Sequence, residues 1–183
     1  MAKRNSGNNN DMGDQSETVV YVNVDYLLSI PAVLKILEFL FLITAMGCMI
    51  TYDNHWVSYP AELVFFHVVV VLDWIIVLAF FVMMLFTLER RLPGYDWNLC
   101  IVFTSFIMGV FLIAAAGLMG HEAVKHQNLE WKDVFSTEIK FTLDHLVAAV
   151  ILAFIAVLLF IIDIIVHLVK FFRERRRRRS YQE

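Results

Sequence analysis

Four long runs of mostly apolar residues limit what this chain can fold into more than any other feature. A helix needs roughly 20 such residues to cross a hydrocarbon core about 30 Å thick, where only helices and closed barrels satisfy their own backbone hydrogen bonds. Residues 29–51, 63–88, 99–119 and 145–170 meet that requirement. Hydrophobic residues make up 60% of the 183 and charged ones 18%, more apolar surface than a single small core can cover, so lipid must cover the rest. The expected fold class is an all-α membrane protein, a bundle of four transmembrane helices.

The remaining segments divide the chain into three parts. Residues 1–25 are polar, lack the apolar stretch of a cleavable signal peptide and cannot offset their ordering entropy, so they are expected to form a disordered cytosolic tail. The first apolar run, beginning near Leu27, then serves as an uncleaved anchor. Residues 26–172 form the transmembrane domain and residues 173–183 a basic cytosolic tail.

The connections differ in kind. Tyr52, Trp56 and Tyr59 follow the first span and are the amphipathic rings expected at headgroup level, ahead of Pro60 at a helix start. Pro93-Gly94 marks a tight turn between the second and third spans, with Arg90 and Arg91 at the membrane edge. Residues 120–144 make the longest connection, and Leu129, Trp131, Val134, Phe135 and Ile139 predict a short interfacial helix there.

Orientation follows from lysine and arginine, which concentrate on cytosolic flanks. With the N-terminus inside, the inner segments hold Lys3, Arg4, Arg90, Arg91 and the C-terminal arginines, and the outer loops only Lys125, Lys132 and Lys140. Both termini are therefore expected to be cytosolic. The two cysteines lie at opposite depths, Cys48 at the outer end of the first span and Cys100 at the inner end of the third, too far apart for a disulfide. Outer loops without cysteine disfavour the four-span families held by extracellular disulfides.

SIPAVLKILEFLFLITAMGCM in span one, with Lys35 and Glu38, and AAVILAFIAVLLFIIDIIVHL in span four, with Asp163, resemble the MARVEL domain. The likeness is greatest to its chemokine-like-factor and plasmolipin-like branch, or to an invertebrate relative of the singles-bar type. It covers roughly residues 25–172. It implies a four-helix membrane module associated with vesicle trafficking, membrane apposition and, in some members, cell fusion or the stabilising of partner membrane proteins. No catalytic residues and no cofactor come with it.

Ionisable groups inside a span each need a partner or a wet cavity, since insertion of one costs about 2.5–3.5 kcal/mol. Lys35 and Glu38 are one turn apart, and Asp163, seven residues before Lys170, lies at a similar depth, so a Lys35–Asp163 contact is geometrically open. Asp73 sits near mid-membrane, too far along its helix from His67 to touch it. Three uses compete for these groups: fasteners that set helix register, a proton or ion path built from Asp73, His67, Asp163 and His167, or recognition of another protein's transmembrane segment. The remaining histidines are scattered and predict no metal site.

Small residues mark close helix approaches. Ser105, Gly109, Ile113 and Gly117 recur every four positions on span three, as do Ala149 and Ala153 on span four, where Ala148 and Ala156 stand two such steps apart. Packing between neighbouring spans and self-association along the Gly109 stripe are the two uses. Past the last span, Lys170, Arg173, Arg175, Arg176, Arg177, Arg178 and Arg179 are expected to adhere to anionic lipid headgroups, at about 1 kcal/mol each, as well as to set topology. Cys100 is either an acylation site or, as expected here, an inert buried thiol.

Beyond the bilayer, the partners expected are other membrane proteins or further copies of the chain. The net charge of -3 averages an acidic front with a basic end, and nucleic acid is not expected as a partner. The expected role is that of a non-enzymatic, multi-pass organiser of the plasma membrane or intracellular vesicles, in trafficking, membrane apposition or cell fusion. A small proton or ion channel, or a transporter subunit, is the alternative.

Overall fold

The computed structural model describes residues 23–53, 60–87, 96–130 and 137–180. Helices form throughout: α1 Val24–Leu27, α2 Ile30–Asp53, α3 Ala61–Leu85, α4 Trp97–Glu130 and α5 Thr137–Ser180. Four of them, α2 to α5, are long and apolar enough to cross a membrane.

Local chemistry sets several helix ends. Ser29 Oγ accepts from the amide of Ala32 at 3.4 Å, satisfying an orphan donor at the start of α2, and Pro31 in that first turn has no amide to satisfy. α3 starts after Pro60, with Glu62 in its first turn where the helix dipole favours a negative charge. At the other end of α3, the Leu85 carbonyl accepts from the amide of Asn23 at 2.9 Å, so the chain ahead of α2 caps an orphan acceptor of α3. Asn23 also caps α1 through its side chain, 3.2 Å from the Tyr26 amide, and the Tyr26 ring lies 6.1 Å from that of Phe81 on α3. The described residues begin at Asn23, inside the segment 1–25 expected as a tail. Residues 1–22 of the expected tail lie outside the described residues.

The four long helices run alternately up and down, and each packs against its sequence neighbours, with α5 closing the ring against α2. The core is threaded by Leu42, Met49, Phe66, Val70, Leu112, Leu146 and Phe160. Only 28% to 39% of each apolar stretch is buried, and Leu72, Phe103, Phe106 and Leu158 are each more than half exposed. A ring of apolar side chains facing outward on every helix is stable only with hydrocarbon as its solvent.

Two helices outrun the membrane. At ~1.5 Å per residue, the 34 residues of α4 and 44 of α5 span about 51 and 66 Å, well beyond the ~30 Å hydrocarbon core. This corrects the expectation for residues 120–144. α4 continues to Glu130 and α5 starts at Thr137, so helical extensions take up most of the long connection, and residues 131–136 between them lie outside the described residues. In the basic segment, too, α5 continues unbroken through the arginines to Ser180. Hydropathy ends at both places, but no glycine or proline interrupts residues 121–180, and arginine, lysine and glutamate are good helix formers, so the helix propagates past the apolar run.

Small residues let α4 and α5 approach. Ala115, Ala116, Ala149, Ala153 and Ala156 are all fully buried, and a Cβ built on Gly109 would lie 3.9 Å from Phe160 Cβ. The four-residue ladder does not act as one face, however. Ser105 and Gly109 point inward, whereas Ile113 and Gly117 point outward, with open space where a Gly117 Cβ would sit. Each four-residue step on a helix of 3.6 residues per turn drifts about 40°, so Ser105 and Gly117 end about 120° apart. Gly117 is therefore not an internal packing residue.

Other expectations are adjusted as well. Tyr52 is buried against the core, and Cys100, expected as an inert buried thiol, is exposed on α4. Trp56, Tyr59, Arg90, Arg91, the Pro93-Gly94 turn, Trp131, Val134 and Phe135 lie outside the described residues.

Candidate functional site

Three helices bring their polar side chains together in the half of the bundle nearer the termini. Lys35, buried on α2, donates to Glu38 Oε2 at 2.8 Å and to Asp163 Oδ2 on α5 at 2.7 Å. The first contact follows from the one-turn spacing along α2, and the second pins α2 to α5. Ser105 Oγ on α4 donates to the same Asp163 oxygen at 3.2 Å. Ser105 is thus a hydrogen-bond donor in the cluster as well as a small residue at a helix contact. The Lys35 ammonium also lies 6.0 Å from the centroid of the Phe160 ring.

The polar chain continues toward the helix ends. His167, one turn after Asp163, places Nε2 3.6 Å from Asp163 Oδ1, too long for a hydrogen bond, and its Nδ1 lies 3.0 Å from Asn98 Oδ1 on α4. The Asn98 amide in turn reaches both carboxylate oxygens of Glu174 at 3.4 Å. Glu174 is exposed, so the chain of polar groups runs from the surface to Glu38 in the core.

Asp73 stands apart at the middle of α3, buried and within electrostatic range of Glu38. His67 is not part of the cluster. Its Nδ1 faces the Leu63 carbonyl of its own helix at 2.9 Å, so the four-residue path through His67 is not assembled. Among the described residues, Glu38 Oε1, Asp73 Oδ2 and Asp163 Oδ1 are buried oxygens without a hydrogen-bond partner. The interior holds one ammonium against three carboxyl groups.

Asn98 went unnoticed in the sequence, where it reads as an ordinary polar residue at a span edge. Its signal is depth: α4 and α5 are antiparallel, so a residue in the first turn of α4 faces the end of the α5 span, where His167 lies. The cluster's ion pairs are energetically linked, because a buried ion that loses its partner costs about 3–5 kcal/mol. Among the described residues, no three His, Cys, Asp or Glu side chains converge as metal ligands.

The arginines beyond it are arranged as a helix. Arg173, Arg175, Arg176 and Arg177 are exposed, and at 100° per residue they radiate around α5 rather than forming one basic face. The Arg175 guanidinium lies 5.9 Å from the Phe171 ring centroid. Ten residues of helix separate Lys170 from Ser180, about 15 Å, more than the ~8 Å Debye length of physiological salt. The first basic residues of the run are the ones a lipid surface would reach.

A search of curated proteins and one of solved structures returned no match. The MARVEL family model, described as a membrane-associating domain, matches residues 26–166. That stretch takes in α2, α3, α4 and α5 as far as Val166, and with them the cluster formed by Lys35, Glu38, Ser105 and Asp163. MARVEL is a four-span membrane domain and not a known enzyme family. The chain belongs to the MARVEL family.

Proposed function

We propose that the protein is a non-enzymatic organiser of membranes, with both termini cytosolic, acting in vesicle trafficking, membrane apposition or cell fusion through helix–helix and lipid contacts. What supports this role is the division of the bundle into a charged fastener and an apolar exterior. Lys35, Glu38, Asp163 and Ser105 bond to one another and tie three helices, leaving the outward faces of all four spans free for lipid or for other transmembrane segments. Proximity labelling from the C-terminus of the full chain in its native cell tests the role. Enrichment of trafficking or fusion proteins over a four-span control of matched topology is expected, and a labelled set no different from the control would overturn it.

A proton-conducting role has one observation in its favour, the run of polar groups from Glu174 through Asn98, His167 and Asp163 to Glu38. Its continuity breaks at the 3.6 Å gap between His167 and Asp163 and again before Asp73 on α3. Reconstituted in liposomes with an imposed pH gradient, the protein is expected to dissipate the gradient no faster than empty vesicles. A flux well above that level, lost in Asp73→Asn, would make conduction the function.

A further inference from the structure

Two adjoining recesses open between α4 and α5 at the leaflet that holds the termini. The deeper is a groove of about 590 Å³ lined by Leu99, Val102, Phe103 and Phe106 of α4 and Ile164 of α5. The second, about 400 Å³, sits at its outer end and is lined by Asp96, Leu99, Phe171, Glu174 and Arg175. They share Asp96 and Leu99, so together they form one open groove with an apolar limb and a charged mouth.

The dimensions select the kind of occupant. From Asp96 to Phe106 the helix rises about 15 Å, the depth of one leaflet and half of the ~30 Å that a crossing helix would need. An acyl chain fits that length, whereas a transmembrane segment of another protein would extend past the end of the groove. The charges select the headgroup. The mouth carries two carboxylates, Asp96 and Glu174, and one guanidinium, Arg175. A phosphodiester matches the guanidinium, and a primary ammonium, with three donors, matches the carboxylates. An anionic headgroup would add negative charge to a mouth already carrying more acid than base, and a quaternary ammonium has no hydrogen to donate.

We propose that the α4–α5 groove is a binding site for phosphatidylethanolamine, with one acyl chain against Phe103 and Phe106, the phosphate at Arg175 and the ammonium at Asp96 and Glu174. The site deepens the lipid-contact part of the organising role by naming a lipid class. It is also distinct from attraction of anionic lipid to the arginine run, which would favour phosphatidylserine or phosphatidylglycerol. Glu174 is the surface end of the polar chain that leads through Asn98 and His167 to Asp163, so an occupied site adjoins the fastener of the bundle.

Native mass spectrometry of the full-length chain in detergent tests the site. The protein is mixed with equal amounts of phosphatidylethanolamine, phosphatidylcholine, phosphatidylserine and phosphatidylglycerol carrying the same acyl chains. The ethanolamine adduct is expected to exceed each of the others about two- to fivefold, the range that one or two exposed ion pairs supply. Asp96→Asn with Glu174→Gln should bring phosphatidylethanolamine and phosphatidylcholine to parity, and Leu99→Trp should lower all four adducts by filling the groove. All three positions are exposed, so the melting temperature should hold. If the double variant does not fold, Arg175→Gln is the substitute, expected to reduce the ethanolamine adduct. Equal adducts in the unaltered chain, an anionic lipid ranking first, or a preference that survives the substitutions would overturn the site. None of these outcomes bears on the proximity-labelling result, so the two proposals can fail separately.

Discussion

Lys35→Met is expected to destabilise the bundle by about 3–5 kcal/mol, read as a drop in the midpoint of unfolding by denaturing detergent and in the yield of monodisperse protein. The ammonium is the shared partner of Glu38 and Asp163, at 2.8 and 2.7 Å, and the methionine that replaces it fills similar volume without the charge. The loss thus comes from two carboxylates left without their partner, not from a cavity. Against a whole-domain stability of about 5–15 kcal/mol, a loss of this size is enough to leave much of the protein unfolded. Ordinary hydrogen bonds between membrane helices are much weaker, averaging about 0.6 kcal/mol, so Ser105→Ala should cost far less. Adding Glu38→Gln and Asp163→Asn to Lys35→Met should restore most of the loss, because neutral amides remove the unpaired charge. A single variant as stable as the starting protein, or a triple variant no better than the single, would show that the ion pairs do not fasten the helices.

The second large effect separates two glycines that look alike in sequence. Gly109→Leu is expected to cost about 1–3 kcal/mol, the usual penalty of overpacking, since its side chain must grow toward Phe160, which is fully buried. Gly109→Ala should be tolerated, because the added Cβ lies 3.9 Å from Phe160 Cβ, an ordinary contact. Gly117→Leu should be neutral or stabilising by up to about 1 kcal/mol, as leucine is the better helix former and the site faces open space. Melting curves of the three variants in one detergent check the order, and equal losses at Gly109 and Gly117 would contradict the packing of α4 on α5. Crosslinking in cells adds a second reading. A crosslinked oligomer lost only in Gly117→Leu would place that outward glycine at a contact between copies.

Sequence patterning carried the architecture because the physics behind it is local. Runs of about 20 apolar residues, the charged or turn-rich segments between them, and the depth of Lys35, Glu38 and Asp163 along their helices follow from composition and a fixed rise per residue. The ends of helices did not follow in the same way. At Gly120 and again at Lys170 the apolar run stops, yet α4 and α5 go on to Glu130 and Ser180, since water and charge end a membrane span without ending a helix. Hydropathy alone therefore overestimated the long connection and left the helical state of the arginine segment undetermined.

Neighbourhood was the other thing the residues could not disclose. Equal depth made a Lys35–Asp163 contact feasible, but it takes the ring in which α5 closes against α2 to bring the two within 2.7 Å. Asn98 and Ser105 join the cluster for the same reason, and His67 is left out because its side chain faces a carbonyl of its own helix. Four-residue spacing likewise identified Gly109 and Gly117 but not their opposite facing, which the 40° drift per step and the position of α5 decide together. The sequence by itself determined four membrane helices, their order and the depth of each charged group, because these depend on local hydropathy and helical rise. Only the tertiary structure decided which charges meet, which small residues touch and where a groove opens between α4 and α5, because those depend on how separate helices rotate and pack against one another.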